Sequence, residues 1–151
     1  MDWYSRYVLA WELSNSLDKQ FCFDALGRAL SISRPEIFNS DQGSQFTSSE
    51  FTGRLEAAGV RISMDGRGRV FDNIFIERLW RSVKYEEVYL HSYESVRDAR
   101  NGLARYFRLY NTERLHESLE YRTPHEVFFG EARNNNGQAE LIHLKEPCFL
   151  S

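Results

Sequence analysis

Asp41 and Glu77 are the two acidic residues whose surroundings suit metal-dependent phosphodiester chemistry, and thirty-five residues (42–76) separate them. Asp41 follows Ile37-Phe38-Asn39-Ser40 and opens the polar stretch Gln42-Gly43-Ser44-Gln45. Glu77 sits in Asp72-Asn73-Ile74-Phe75-Ile76-Glu77-Arg78-Leu79-Trp80-Arg81-Ser82-Val83-Lys84. On a helix, Asn73, Glu77, Arg81 and Lys84 recur at i−4, i, i+4 and i+7 and share one polar face. Ile76, Leu79 and Val83 form the apolar face, with Trp80 at its edge. Carboxylates are hard oxygen ligands suited to Mg²⁺ or Mn²⁺, and two such ions about 3.5–4 Å apart can activate an attacking oxygen while stabilising a leaving one. A third carboxylate is expected beside them. Singly, each acid has an ordinary reading: a loop aspartate forms a turn, and a Glu-to-Arg pair at i,i+4 is a surface ion pair contributing about 0.3–0.5 kcal/mol.

The elements that must position these acids are legible as alternating strands and helices. Tyr7–Leu13 is rich in aromatic and branched residues and predicts a strand, with Tyr4-Ser5-Arg6 as a tight turn before it. Apolar positions from Leu17 to Leu30 recur at helical spacing, and Pro35 closes the connection. Glu36–Ser40 predicts a short buried strand that delivers Asp41 at its carboxyl end. Ser48-Ser49-Glu50 caps a second helix with Phe51, Leu55 and Ala58 on one face and Gly59 as its stop. Val60–Met64 alternates like another strand, and Asp65-Gly66-Arg67-Gly68-Arg69 is a basic, glycine-punctuated loop. Helices are expected over about Asp72–Tyr89 and about Tyr93–Tyr110, the second with Val96, Ala99, Leu103, Tyr106 or Phe107, and Tyr110 as its apolar stripe. Pro124 opens a short last helix, where its missing N–H does no harm.

With 151 residues, 42% hydrophobic and 15% aromatic, the chain has enough apolar side chains for one folded domain. No run of eighteen apolar residues and no charged start followed by an apolar stretch is visible, so no membrane contact and a soluble, cytoplasmic location are expected. Cys22 and Cys148 are far apart and lack partners at ligand spacing, which predicts reduced thiols and no zinc site. A net charge of −3 speaks against nucleic acid as a partner, but the distribution does not. Between Arg61 and Lys84, Arg61, Arg67, Arg69, Arg78, Arg81 and Lys84 face only Asp65, Asp72 and Glu77, a local cationic surplus around the Glu77 phrase.

Asn39-Ser40-Asp41-Gln42-Gly43-Ser44-Gln45-Phe46-Thr47-Ser48, the 72–84 phrase, and Tyr110-Asn111-Thr112-Glu113-Arg114-Leu115-His116-Glu117-Ser118-Leu119 with Thr123-Pro124 closely resemble insertion-sequence transposases related to retroviral integrases. The resemblance covers about Asp2 to Gly130. It implies an α/β, RNase H-like (integrase catalytic core) fold, a mixed sheet flanked by helices, over 1–130; the segment 131–151, with Asn134-Asn135-Asn136-Gly137, is expected from its own residues to be a flexible tail. The resemblance further implies Asp41 and Glu77 as catalytic, metal-holding residues of an Asp, Asp, Glu triad, with Mg²⁺ or Mn²⁺ as cofactor. DNA at transposon ends and targets is the implied partner, contacted by Lys84, Arg81, Arg67 and Arg69, and family members act as multimers, so a homo-oligomer is expected.

The resemblance has one gap. The first catalytic Asp of such enzymes lies on a first strand that precedes a hairpin, whereas Asp2 falls in the phrase matching the hairpin turn. Asp2 is therefore expected to be a structural turn residue, with the first strand and its Asp missing. Little or no transposition by these residues alone is expected, and the alternative role is that of an inactive remnant that binds nucleic acid or an intact transposase. His116 is expected to pack beside Tyr110 and Asn111, and Trp80, Tyr106 and Phe107 to belong to the core.

Overall fold

A computed structural model describes residues 1–15, 19–64, 74–133 and 139–141. The described chain falls into two compact units, one of Met1 and Leu9–Leu103 and one of Asp2–Val8 and Ala104–Ser151.

In the first unit the order is α1 (Gln20–Ile32), β1 (Ile37–Ser40), α2 (Ser49–Ala57), β2 (Arg61–Met64) and α3 (Ile74–Glu86), followed by a 3₁₀ turn at Val88–Leu90 and the start of α4 (Val96–Thr112). β1 and β2 pair in parallel, from Ile37 opposite Arg61 to Ser40 opposite Met64, with α2 as the crossover between them. Local chemistry explains where α2 starts and stops. Ser48 has the extended backbone of an N-cap, although its hydroxyl donates to the Gln45 carbonyl at 3.0 Å and leaves the cap without a side-chain bond. At the other end Gly59 adopts φ +73, its N–H donating to Glu56 O and that of Val60 to Leu55 O, both at 2.9 Å. This is the pairing by which a left-handed glycine closes a helix and turns the chain into β2.

The core of this unit joins Cys22, Phe23 and Leu26 of α1 to Phe51 and Leu55 of α2 and to Val60, with Phe38 and Phe46 packed against them. Phe51 is its hub: its ring lies 5.9 Å from Phe23, 5.7 Å from Phe38 and 5.4 Å from Phe46. Cys22 is a free, buried thiol, and burial raises its pKa, which makes it unreactive. Cys148 and Leu17 lie outside the described residues.

Four expectations are corrected. Tyr7–Leu13 forms no strand. A strand needs a neighbour to take its backbone hydrogen bonds, and side chains take them here. Arg28 donates to Trp11 O at 2.5 Å and Arg100 to Leu13 O at 3.0 Å, while Glu12 between them meets Arg28 at 2.6 Å and Arg100 at 2.5 Å. Burial pushes the Glu12 carboxyl up, but the hydrogen bonds and charges of Arg100 and Arg28 outweigh it and hold the group below the usual carboxylate range. Second, the sheet is a parallel pair and a separate antiparallel pair among the described residues, not one mixed sheet. Third, α4 starts at Val96, which is exposed, so the buried stripe begins at Leu103 and continues through Tyr106, Phe107 and Tyr110. Fourth, Trp80 is 46% exposed; Leu79 and Val83 fill the buried face of α3, and Trp80 stays at its margin.

In the second unit Asp2 is the turn residue expected. Its Oδ2 accepts from the Ser5 N–H at 2.7 Å and the Ser5 hydroxyl at 2.6 Å, and its own N–H donates to Tyr7 O at 2.8 Å. Tyr7 stacks on Phe128 at 4.7 Å, and the Val8 backbone pairs with the side-chain amide of Asn111. α5 (Pro124–Phe128) begins with a capping box: Thr123 Oγ1 accepts from the Glu126 N–H at 3.2 Å, and Glu126 Oε2 accepts from the Thr123 N–H at 2.7 Å. Part of the stretch expected as a flexible tail is regular, because β3 (Glu131–Arg133) and β4 (Ala139–Leu141) pair antiparallel. Among the described residues no helix is long and apolar enough to cross a membrane.

Candidate active site

Asp41 stands immediately after β1, at its carboxyl end, and is exposed. Its Oδ1 accepts the Gly43 N–H at 2.9 Å, an aspartate turn that aims the side chain back over the loop. Glu77 occupies the first turn of α3 and is also exposed. Arg78, Arg81 and Lys84 share its solvent side, while Leu79 and Val83 anchor the opposite face. No ion pair ties Glu77 to Arg81, or Lys84 to a carboxylate, among the described residues. Among the described residues the Glu77 carboxylate thus lacks the i,i+4 partner of the ordinary surface-pair reading. Asn73, Arg67 and Arg69 lie outside the described residues.

Sequence reasoning missed Gly43. A Cβ built there would fall 2.9 Å from Asp41 Oδ1 and 2.9 Å from Gln45 Nε2, so only glycine lets the carboxylate sit where it does. The signal was the aspartate two residues before a glycine. Gly43→Ala is expected to leave the melting temperature nearly unchanged, because the atom that must yield is the end of a side chain, yet to turn the Asp41 carboxylate away. Mn²⁺ titration of the variant should show weakened binding, and unchanged binding would exclude the role. Nearby, the Asn39 side-chain amide nitrogen and oxygen and the Ser40 hydroxyl are buried without a partner among the described residues, a cost of about 1–3 kcal/mol for each such group. They cluster at the strand end that carries Asp41.

As hard oxygen donors, Asp41 and Glu77 fit Mg²⁺ or Mn²⁺ in kind. In number they are two, and the described residues form no group of three or more His, Cys, Asp or Glu placed to hold an ion. His116 takes no such part. Its ring meets Tyr110 edge-on at 5.1 Å, its Nε2 is buried without a partner, and burial, with the charges of Arg114 and Arg6, lowers its pKa and keeps it neutral at pH 7. Tyr106 and Phe107 are buried as expected.

Two models described as integrase core domain match the sequence, one over residues 1–69 and the other over 58–124. The chain belongs to the integrase core family. It is 30% identical over 128 residues to the transposase for insertion sequence element IS904 of Lactococcus lactis, covering 82% of this chain and 51% of that protein. Against the transposase for IS629 of Shigella sonnei it is 30% identical over 129 residues, 84% of this chain and 44% of the other. The chain therefore spans about half the length of the curated relatives it matches. Among solved structures, a chain of the simian T-cell lymphotropic virus intasome in complex with PP2A regulatory subunit B56 gamma superposes with a TM-score of 0.63 at 16% identity, over 76% of this chain and 41% of that one. This likeness shows the RNase H-like α/β fold. The integrase core family is in general dependent on divalent metal ions.

Proposed function

We propose that these residues form part of the catalytic core of a transposase that cuts and joins DNA in the cytoplasm. The observation that carries the reading is an integrase core sequence in which one carboxylate directly follows a parallel strand and another, without an ion pair among the described residues, rides a helix face beside three cations. Asp41 and Glu77 supply carboxylate oxygens to Mg²⁺ or Mn²⁺, which when bound activates the attacking oxygen and stabilises the leaving one. Gly43 holds Asp41 in place through its N–H. Arg81 and Lys84 bind the phosphates that flank the reacting one, with Arg67 and Arg69 on the adjoining loop, and so fix register without reading sequence. The core extends over 1–130, and the active form is a homo-oligomer on paired DNA ends.

Two carboxylates hold a divalent ion weakly, because each further anionic ligand adds to the charge that traps it. The Asn39 and Ser40 side chains, unpartnered among the described residues, support a site completed by a further donor at the end of β1. Turnover by the 151 residues alone is accordingly slow. Calorimetry with Mn²⁺ should find a weak site that Asp41→Asn and Glu77→Gln each remove. Binding indifferent to both substitutions would overturn the metal assignment, and robust strand joining by this chain, abolished by Glu77→Gln, would overturn the low turnover.

A further inference from the structure

The polar stripe of α3 does not stop at Lys84. Glu77, Arg81, Tyr85 and Tyr89 follow one another at intervals of four, the last just past the helix end in the Val88–Leu90 turn. Tyr85 is 62% exposed and Tyr89 65% exposed, an unusual outlay of aromatic surface for a helix whose opposite face is well buried. The three distal side chains touch in sequence. The Arg81 guanidinium lies over the Tyr85 ring, 6.0 Å from its centroid, and Tyr85 meets Tyr89 edge-to-face, with 5.3 Å between centroids and 84° between planes. Neither phenol has a hydrogen-bond partner among the described residues.

Resting on the proposed function, we propose that Tyr85 and Tyr89 stack the unpaired bases of a frayed DNA end whose phosphates lie along Arg81 and Lys84. Three features favour a nucleic acid strand over a protein surface as the occupant. The stripe sets two cations, Arg81 and Lys84, directly before two planar rings, the combination that tracks a sugar-phosphate backbone and receives bases. The nearest cations, Arg81 and Lys84, are held by no carboxylate among the described residues and leave the stripe locally positive. The stripe also begins at Glu77, the residue assigned to the metal ion beside the reacting phosphate. At 1.5 Å per helical residue, Tyr85 stands about 12 Å along α3 from Glu77, the length of about three to four stacked nucleotides. Bases that far from the cut are the ones this platform receives, and because every base has a π-face the contact is tolerant of sequence.

Fluorescence anisotropy of the full chain tests this, with a labelled blunt duplex, the same duplex carrying an unpaired end of that length, and a salt series. The wild type is expected to prefer the frayed end. Tyr85→Ala combined with Tyr89→Ala should cost about tenfold on that end, leave the blunt duplex unchanged and keep the salt slope. The double Phe variant should retain the preference, since the rings and not the hydroxyls stack. Lys84→Ala should instead weaken both DNAs equally and lower the salt slope by about one. Both tyrosines are exposed, so an unchanged circular dichroism melt certifies the fold of each variant. Equal binding of frayed and blunt DNA, or a preference that survives the double Ala variant, overturns the stacking platform and leaves the proposed function standing. A change in sedimentation with no change in DNA affinity also overturns it and makes the stripe a contact between copies. Failure of the wild type to bind either DNA overturns both readings.

Discussion

Phe51→Ala is expected to lower the unfolding free energy by about 3–5 kcal/mol, measured by urea denaturation of the full chain. Phe51 is only 2% exposed and its ring is shared by every element around Asp41. Phe38 lies on β1, three residues before Asp41, and Phe46 five residues after it, and both pack on the Phe51 ring, as does Phe23 of α1. Truncation removes the apolar transfer term and leaves a cavity that three aromatic rings, each fixed by its own backbone, cannot collapse to fill. A domain with about 5–15 kcal/mol of stability loses a large fraction of it. Because the strand before Asp41 and the loop after it lean on this one ring, Mn²⁺ binding should weaken even where the variant stays folded. Phe51→Leu, which keeps much of the volume, should cost less. A loss below about 1 kcal/mol for the alanine variant would show that the ring is not the hub of this core.

Asn111→Ala is expected to cost about 2–5 kcal/mol, since it strands two backbone groups at once. Val8 N–H donates to Asn111 Oδ1 at 2.9 Å, and Asn111 Nδ2 donates to Val8 O at 3.1 Å, with both residues buried. One side-chain amide thus makes the pair of bonds that a neighbouring strand would make. Without it a buried donor and a buried acceptor have neither protein nor water. Asn111→Asp keeps the acceptor, loses the donor and sets a carboxylate against the Val8 carbonyl, so it should not rescue. Hydrogen exchange at the Val8 amide reads the effect directly: protection should fall toward that of an exposed segment, and unchanged protection would refute the account.

Much of this architecture was readable from residues that act locally. Gly59 marked the end of α2 because only a left-handed residue closes that helix, and Pro124 marked the start of α5 because a first-turn residue needs no N–H donor. The face of α3 was legible because a helix repeats every 3.6 residues whatever its surroundings, so Leu79 and Val83 had to lie opposite Glu77, Arg81 and Lys84. Tyr7–Leu13 was misread for the converse reason. Its composition suits a strand, but a strand exists only with a partner, and here Asn111, Arg28 and Arg100, far away in sequence, take its backbone groups. Trp80 was placed in the core on residue type, while the width of the buried face set its exposure.

For the candidate site, the residue types and their spacing were enough to single out Asp41 and Glu77, to place one after a strand and the other on a helix, and to surround Glu77 with cations. Tertiary structure alone decided that Glu77 makes no ion pair with Arg81, that Gly43 makes room for the Asp41 carboxylate, that the Asn39 and Ser40 side chains lack hydrogen-bond partners among the described residues, and that two tyrosines extend the stripe into solvent. The physical reason is range. Helix periodicity, caps and turns arise from bonds among residues a few positions apart, so they are written in any short window of sequence. Which polar group finds a partner, and which ring is covered, depends on atoms that the chain brings together only when it folds.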